Sequence, residues 1–175
     1  MIYISMAILP IYLLITYILI GKLPASISDT YYLYLHKYGI KWPFKAVLCS
    51  IVATLMPVWF ELSDKVNNNI TFLAFLSCVC LIGVAIKADF LYGDKKYHYS
   101  FTAIAFILSL LWTILVGFWT IPVIMYANAI IATVLFYEHY GIGFNQNLAK
   151  AKALLWFELA AFCTIQITLR ILTEI

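Results

Sequence analysis

Charge is what this chain lacks most. Only 11% of its 175 residues are charged, and two long stretches, Met1 to Ile20 and Phe101 to Tyr137, contain no Asp, Glu, Lys or Arg at all. A soluble domain carries about a quarter of its residues as charges. With 65% hydrophobic residues and a mean hydropathy of +0.98, the composition excludes that class and implies an integral membrane protein. Catalytic signatures are missing as well: there is no P-loop, no HExxH, no GxSxG and no pair of histidines at helical spacing, so no familiar nucleotide, metalloprotease or hydrolase motif presents itself. The four cysteines, Cys49, Cys78, Cys80 and Cys163, all lie in apolar segments. There a thiol packs as a small hydrophobe, and neither context nor spacing suits a disulfide or a cysteine zinc site.

What is present is a series of apolar runs of membrane-crossing length, about 20 residues each. The charge-free run from Phe101 to Tyr137 would make a single helix of about 55 Å, too long for a hydrocarbon core of about 30 Å. It divides best at Gly117 to Pro122, where Gly and Pro punctuate a helix and Trp119 suits the interface. The prediction is an all-α, polytopic membrane protein in one domain, a bundle of six transmembrane helices near residues 2–20, 44–62, 70–86, 101–117, 121–137 and 153–172. No basic residue precedes the first run and further spans follow Leu23-Pro24-Ala25, so it reads as a retained helix rather than a signal peptide.

Lysine and arginine set the orientation. Nine of the eleven, all but Lys65 and Arg170, fall in or beside the loops after the first, third and fifth spans. The positive-inside rule puts those loops in the cytoplasm and both termini outside. The net charge of +3 is then a topology signal, with attraction to anionic lipid secondary, and nucleic acid is not expected as a partner.

That topology gathers the polar residues at one surface. Ser26, Ser28, Asp29 and His36 belong to the first cytoplasmic loop, Asp89, Asp94 and His98 to the second, and Glu138 and His139 to the third. Parity alone would bring such loops together, yet histidines converging with carboxylates are also how acid–base and metal sites are built. Asp89 and His98 bracket one short turn, where a carboxylate could orient the ring and raise its basicity. Glu158, in WFELAAF, stands about one and a half turns inside the last span. An ionisable group there costs roughly 2.5 to 3.5 kcal/mol and normally faces a partner or a cavity, unless the helix starts a few residues later and leaves Glu158 exposed at the interface. Glu61, beside Asp64 and Lys65, reads as interfacial. In SISDTYYLYLHKYG, Ser28 suits a helix cap and Tyr31, Tyr32, Tyr34 and Tyr38 suit a short helix lying in the interface. Asn128 and Gln166 read as interhelical hydrogen-bonding residues.

The order LPASISDTYY, NNNITFLAFLSCVCLIGVAIKADF, HYSFTAIAF and WFELAAF resembles a group of small six-helix bacterial membrane proteins. These are distantly similar to the superfamily of transmembrane hydrolases that includes alkaline ceramidases and adiponectin receptors. The resemblance implies a bacterial inner membrane and a pocket at the membrane edge. By order, Ser26 or Ser28 would be its serine, Asp89 its acid, His98 its histidine and Glu158 the acid of the last helix, with zinc as the implied cofactor on His98 and Asp89. The chain departs from the zinc-binding branches in having Thr164, Ile165 and Gln166 where they place two histidines one turn apart, and no histidine follows His139.

Two functions remain. The first is a lipid-headgroup binding, sensing or assembly module, its pocket marked by Ser26, Asp29 and Tyr32, with membrane lipids, a protein partner or a second copy of the chain as partners. The second is a metal-assisted hydrolase of a lipid amide or ester, with Ser28, Asp89, His98 and Glu158 as the catalytic set.

Overall fold

A computed structural model describes residues 2–90, 93, 95–138 and 143–175. The described residues form eight α-helices and one 3-10 turn: α1 Ile2–Ile20, α2 Thr30–Tyr38, α3 Pro43–Val66, the 3-10 turn Asn68–Ile70, α4 Thr71–Ile86, α5 Lys95–Leu115, α6 Thr120–Leu135, α7 Phe144–Lys150 and α8 Ala153–Leu172. Each apolar run becomes one helix. Four of them, α1, α3, α5 and α8, are long and apolar enough to cross a membrane, while α4 and α6 are shorter apolar helices.

The helices close into a ring. α1 packs on α3, α3 on α4, α4 on α5, α5 on α8, and α8 returns to α1, while α6 lies outside against α8. Exposed apolar side chains cover the outer surface, among them Ile130, Val134 and Leu135 of α6, as lipid-facing helices require. Inside, large residues fill the end remote from α2. Trp59 and Trp112 meet edge to face at 5.4 Å, and Ser63 joins α3 to α5 by accepting the Trp112 indole N–H at 2.8 Å while donating to the Trp59 carbonyl. Gln166 of α8 meets Ser5 of α1 at 2.9 Å, the interhelical contact its position implied. Asn128 instead donates to the Ile124 carbonyl of its own helix, because its position on α6 faces outward.

The structure departs from the sequence reading in three places. The helix expected to start near residue 101 begins at Lys95, so His98 lies inside it rather than ahead of it. The Lys and Tyr residues of its first turn are amphipathic and can extend a helix into the interface without desolvating charge. Next, α2 is not a surface helix with its tyrosines at headgroup level. Tyr31, Tyr32 and Tyr34 are buried, Tyr34 stacked on Tyr12 of α1 and Tyr32 edge-on to Phe90, and of the tyrosines named for it Tyr38 alone is exposed. Finally, α7 forms where a plain loop was expected. The turn between α5 and α6 falls as anticipated. Gly117 takes φ +89°, a conformation natural to glycine, and Pro122 sits in the first turn of α6, where a missing N–H costs nothing.

α4 and α5 meet closely because Gly83 has no side chain: a Cβ there would lie 2.9 Å from the Phe101 ring. Gly83→Ala should therefore destabilise the protein by about 1–3 kcal/mol through overpacking, read as a lowered melting midpoint in detergent. Phe101→Leu in the same background should recover part of the loss.

Candidate functional site: a capped cavity inside the helix ring

After α1 the chain turns back into the ring. Lys37 and Tyr38 of α2 both donate to the Leu19 carbonyl, at 2.5 and 3.1 Å, which holds α2 beside the end of α1. The connecting segment between them is buried at Pro24, Ser26, Ser28 and Thr30. A non-helical backbone in such a place must find partners for its own N–H and C=O groups. Part of the need is met locally: the Ser26 hydroxyl oxygen accepts the Asp29 N–H at 3.0 Å, and the Asp29 carboxylate accepts the Ala25 N–H at 3.1 Å.

The rest is supplied by the start of α8. The Lys152 ammonium donates to the Leu23 carbonyl at 2.7 Å. The Leu155 N–H donates to the Ala25 carbonyl at 3.1 Å, so the segment caps an N–H that a helix leaves free in its first turn. The Ile27 N–H donates to the Glu158 carboxylate at 2.5 Å. Burial holds the Lys152 ammonium below the usual lysine range, opposed by Asp29 and reinforced by Lys22. Lys152 also takes a left-handed backbone, φ 57°, which aligns it with both the segment and the helix.

α1 and α5 complete the collar. The Tyr12 hydroxyl donates to Thr30 at 2.8 Å. The Ser28 hydroxyl lies 3.1 Å from Nε2 of His98, whose Nδ1 lies 2.9 Å from the Lys87 carbonyl. A carbonyl can only accept, so in the neutral ring Nδ1 carries the proton and Nε2 accepts the Ser28 hydroxyl. Phe90 stacks on the imidazole with centroids 4.5 Å apart.

Beneath this collar lies a cavity of about 140 Å³. All five ring helices line it, through residues such as Leu9, Ile51, Leu81, Ala105 and Ile165, and it runs along α3 from Phe44 to Trp59. Ser77, Thr102 and Ser109 also face it, but each hydroxyl donates to a helix carbonyl. Ser28 and Glu158 meet it at the collar end, and at the other end the buried Trp59 has an indole N–H without a hydrogen-bond partner.

The expected site residues thus separate. Ser28, His98 and Glu158 are brought together at the collar. Ser28 does not cap α2, since its hydroxyl is turned to His98, and Asp29 stands at the cap position with its side chain bonded to the Ala25 N–H instead of to the helix. Asp89 does not orient His98, a place taken by the Lys87 carbonyl; it accepts the Tyr32 hydroxyl at 3.2 Å. Ser26 and Asp29 hold the turn, and neither they nor Tyr32 line the cavity. His36 is exposed on α2 and Glu138 is exposed beyond α6, while Asp94 and His139 lie outside the described residues. Glu61 pairs with Lys65 in solvent, as its surroundings implied. The residues do not fit a zinc ion: both His98 nitrogens face protein groups, Asp89 is directed to Tyr32, and no cluster of three His, Cys, Asp or Glu among the described residues could hold a metal. Trp59 escaped the sequence reading, since a tryptophan inside an apolar run carries no local sign of an unpartnered N–H. No family model, curated protein or solved structure matches this chain.

Glu158→Leu should leave the Ile27 N–H unpaired and cost about 1–3 kcal/mol. Glu158→Gln keeps an acceptor oxygen and should cost clearly less. Melting midpoints of the two variants in one detergent check the ordering.

Proposed function

We propose that the chain is a six-helix integral membrane protein whose interior cavity binds the apolar chain of a membrane lipid, with the lipid's polar part at the collar of residues 24–30. In this reading α4 and α6 also cross the bilayer, their 16 residues each spanning about 24 Å with flanking turns completing the passage. The lysine-rich end is cytoplasmic, as the distribution of basic residues favours.

The observation that carries the reading is the form of the cavity. From Phe44 to Trp59 the lining stripe of α3 extends about 22 Å at 1.5 Å per residue. A volume of about 140 Å³ is close to that of an apolar cavity which stays dry and takes benzene, about 150 Å³. So small a volume along so long a wall suits a thin flexible chain rather than a broad ring system. Along the wall the hydroxyls of Ser77, Thr102 and Ser109 are already bonded to helix carbonyls, and the other polar groups stand at the ends: Ser28 and Glu158 at the collar, the Trp59 N–H at the other, where a ligand oxygen would satisfy it. A binding pocket of this kind is mostly apolar with a few placed polar groups, and the resemblance to lipid-acting membrane proteins agrees with it.

Ala105 is buried and faces the middle of the cavity. Ala105→Phe should fill the space and lower the lipid retained by the detergent-purified protein by about tenfold, a loss of about 1.4 kcal/mol in binding, as counted by quantitative lipid mass spectrometry. Equal retention in folded wild type and variant would place the lipid on the outer surface instead.

A further inference from the structure

We propose that α6 is the face through which two copies of this chain associate side by side in the bilayer, with Asn128 paired to its counterpart across a two-fold axis. The proposal rests on the reading of α6 as a membrane-crossing helix and is independent of what the cavity holds.

α6 stands apart from the other spans. It lies outside the ring and packs on α8, burying Pro122, Ala129 and Thr133. At about 3.6 residues per turn, the opposite side of the helix carries Ile124, Asn128, Ile131 and Leu135, all exposed. Three of these suit lipid, and Asn128 does not. Its Nδ2 donates to the Ile124 carbonyl at 2.9 Å, while its second N–H and its carbonyl oxygen have no hydrogen-bond partner among the described residues. Asn128 stands midway along the 16 residues of α6. These groups therefore face the centre of the hydrocarbon, where no water reaches them and an unmade hydrogen bond is expensive.

The spacing of the exposed residues says what covers them. They are separated by four, three and four positions, the seam spacing of a two-stranded coiled coil, with Asn128 and Leu135 at a and Ile124 and Ile131 at d. Two copies inserted with one topology and related by an axis along the membrane normal present these helices parallel. In a parallel pair each a residue meets the same residue of the other copy, so Asn128 meets Asn128. A primary amide answers itself there: the free N–H of each donates to the carbonyl oxygen of the other. A different protein would need a matching polar group at this depth, whereas a second copy has one by symmetry. Ala127, exposed beside Asn128, lets the backbones approach.

The test uses the full-length protein in phosphatidylcholine vesicles, with donor- and acceptor-labelled copies mixed and energy transfer followed as the protein is diluted with lipid. Wild type should associate and Asn128→Gln should keep the association. Asn128→Val should weaken it about tenfold with an unchanged melting midpoint, since the side chain is exposed in the single copy. With Cys49, an exposed native cysteine, replaced by Ala, Ile131→Cys should form a disulfide between copies on oxidation. Ile130→Cys, equally exposed but off the seam, should not. Wild type that stays monomeric at every dilution, Asn128→Val that associates as tightly as wild type, or equal cross-linking at positions 130 and 131 overturns the proposal. A water-soluble maleimide applied to the Ile130→Cys vesicles separates these failures from failure of the reading beneath. Absence of labelling keeps α6 in the bilayer whatever the association result, while full labelling would remove the six-span reading and the proposal together.

Discussion

The fold depends on satisfying a stretch of non-helical backbone inside an apolar bundle. After α1 the chain turns inward, and Pro24, Ser26 and Ser28 are buried while the residues between them are half-buried. Buried backbone outside a helix is tolerated only where other groups supply its hydrogen-bond partners. Turn bonds within the segment and the start of α2 supply part of them, and Lys152 with α8 supplies the long-range remainder: Lys152 for the Leu23 carbonyl, the Leu155 N–H for Ala25, and Glu158 for the Ile27 N–H. The ionisable group inside the last span, expensive by itself, is explained by that need. A carboxylate is the strongest acceptor available for a buried amide, and the segment gives the carboxylate a donor in return.

The same arrangement produces the cavity. Because the segment closes the ring at one end, the side chains of α1, α3, α4, α5 and α8 need not meet along the axis, and the interior between Phe44 and Trp59 stays open. The far end is shut by tight packing of Trp59 and Trp112 with Ser63 between their helices. A polar collar, an apolar interior and a closed floor follow from where the segment enters. The pairing of Ser28 with His98 belongs to the collar too, since α5 starts early enough to carry His98 past the end of α4.

Much of this could be read from residues alone. Charge-free runs gave the helices, and Gly117 with Pro122 gave the break between α5 and α6. Glu158 was visible as an anomaly because insertion cost makes any such residue conspicuous. Its partner was not visible: a main-chain N–H 131 residues earlier leaves no mark in a sequence. The tyrosines of α2 misled for a related reason, since a tyrosine suits the interface and a buried hydroxyl equally well, and only the inward turn of the chain decides between them. Asp89 and His98 are close along the chain, but their separation is set by where α4 ends and α5 begins, and helix boundaries are weakly encoded.

The central claim is that residues 24–30 are an internal plug held by α8, not a surface loop. Hydrogen–deuterium exchange of the intact protein, followed for a peptide covering this segment, tests it most directly. The account predicts that the amides of Ile27 and Asp29, both hydrogen-bonded, exchange as slowly as those of α8, and that Glu158→Leu speeds Ile27 before it affects the helices. Exchange of the wild-type segment at the rate of a solvated loop would contradict it.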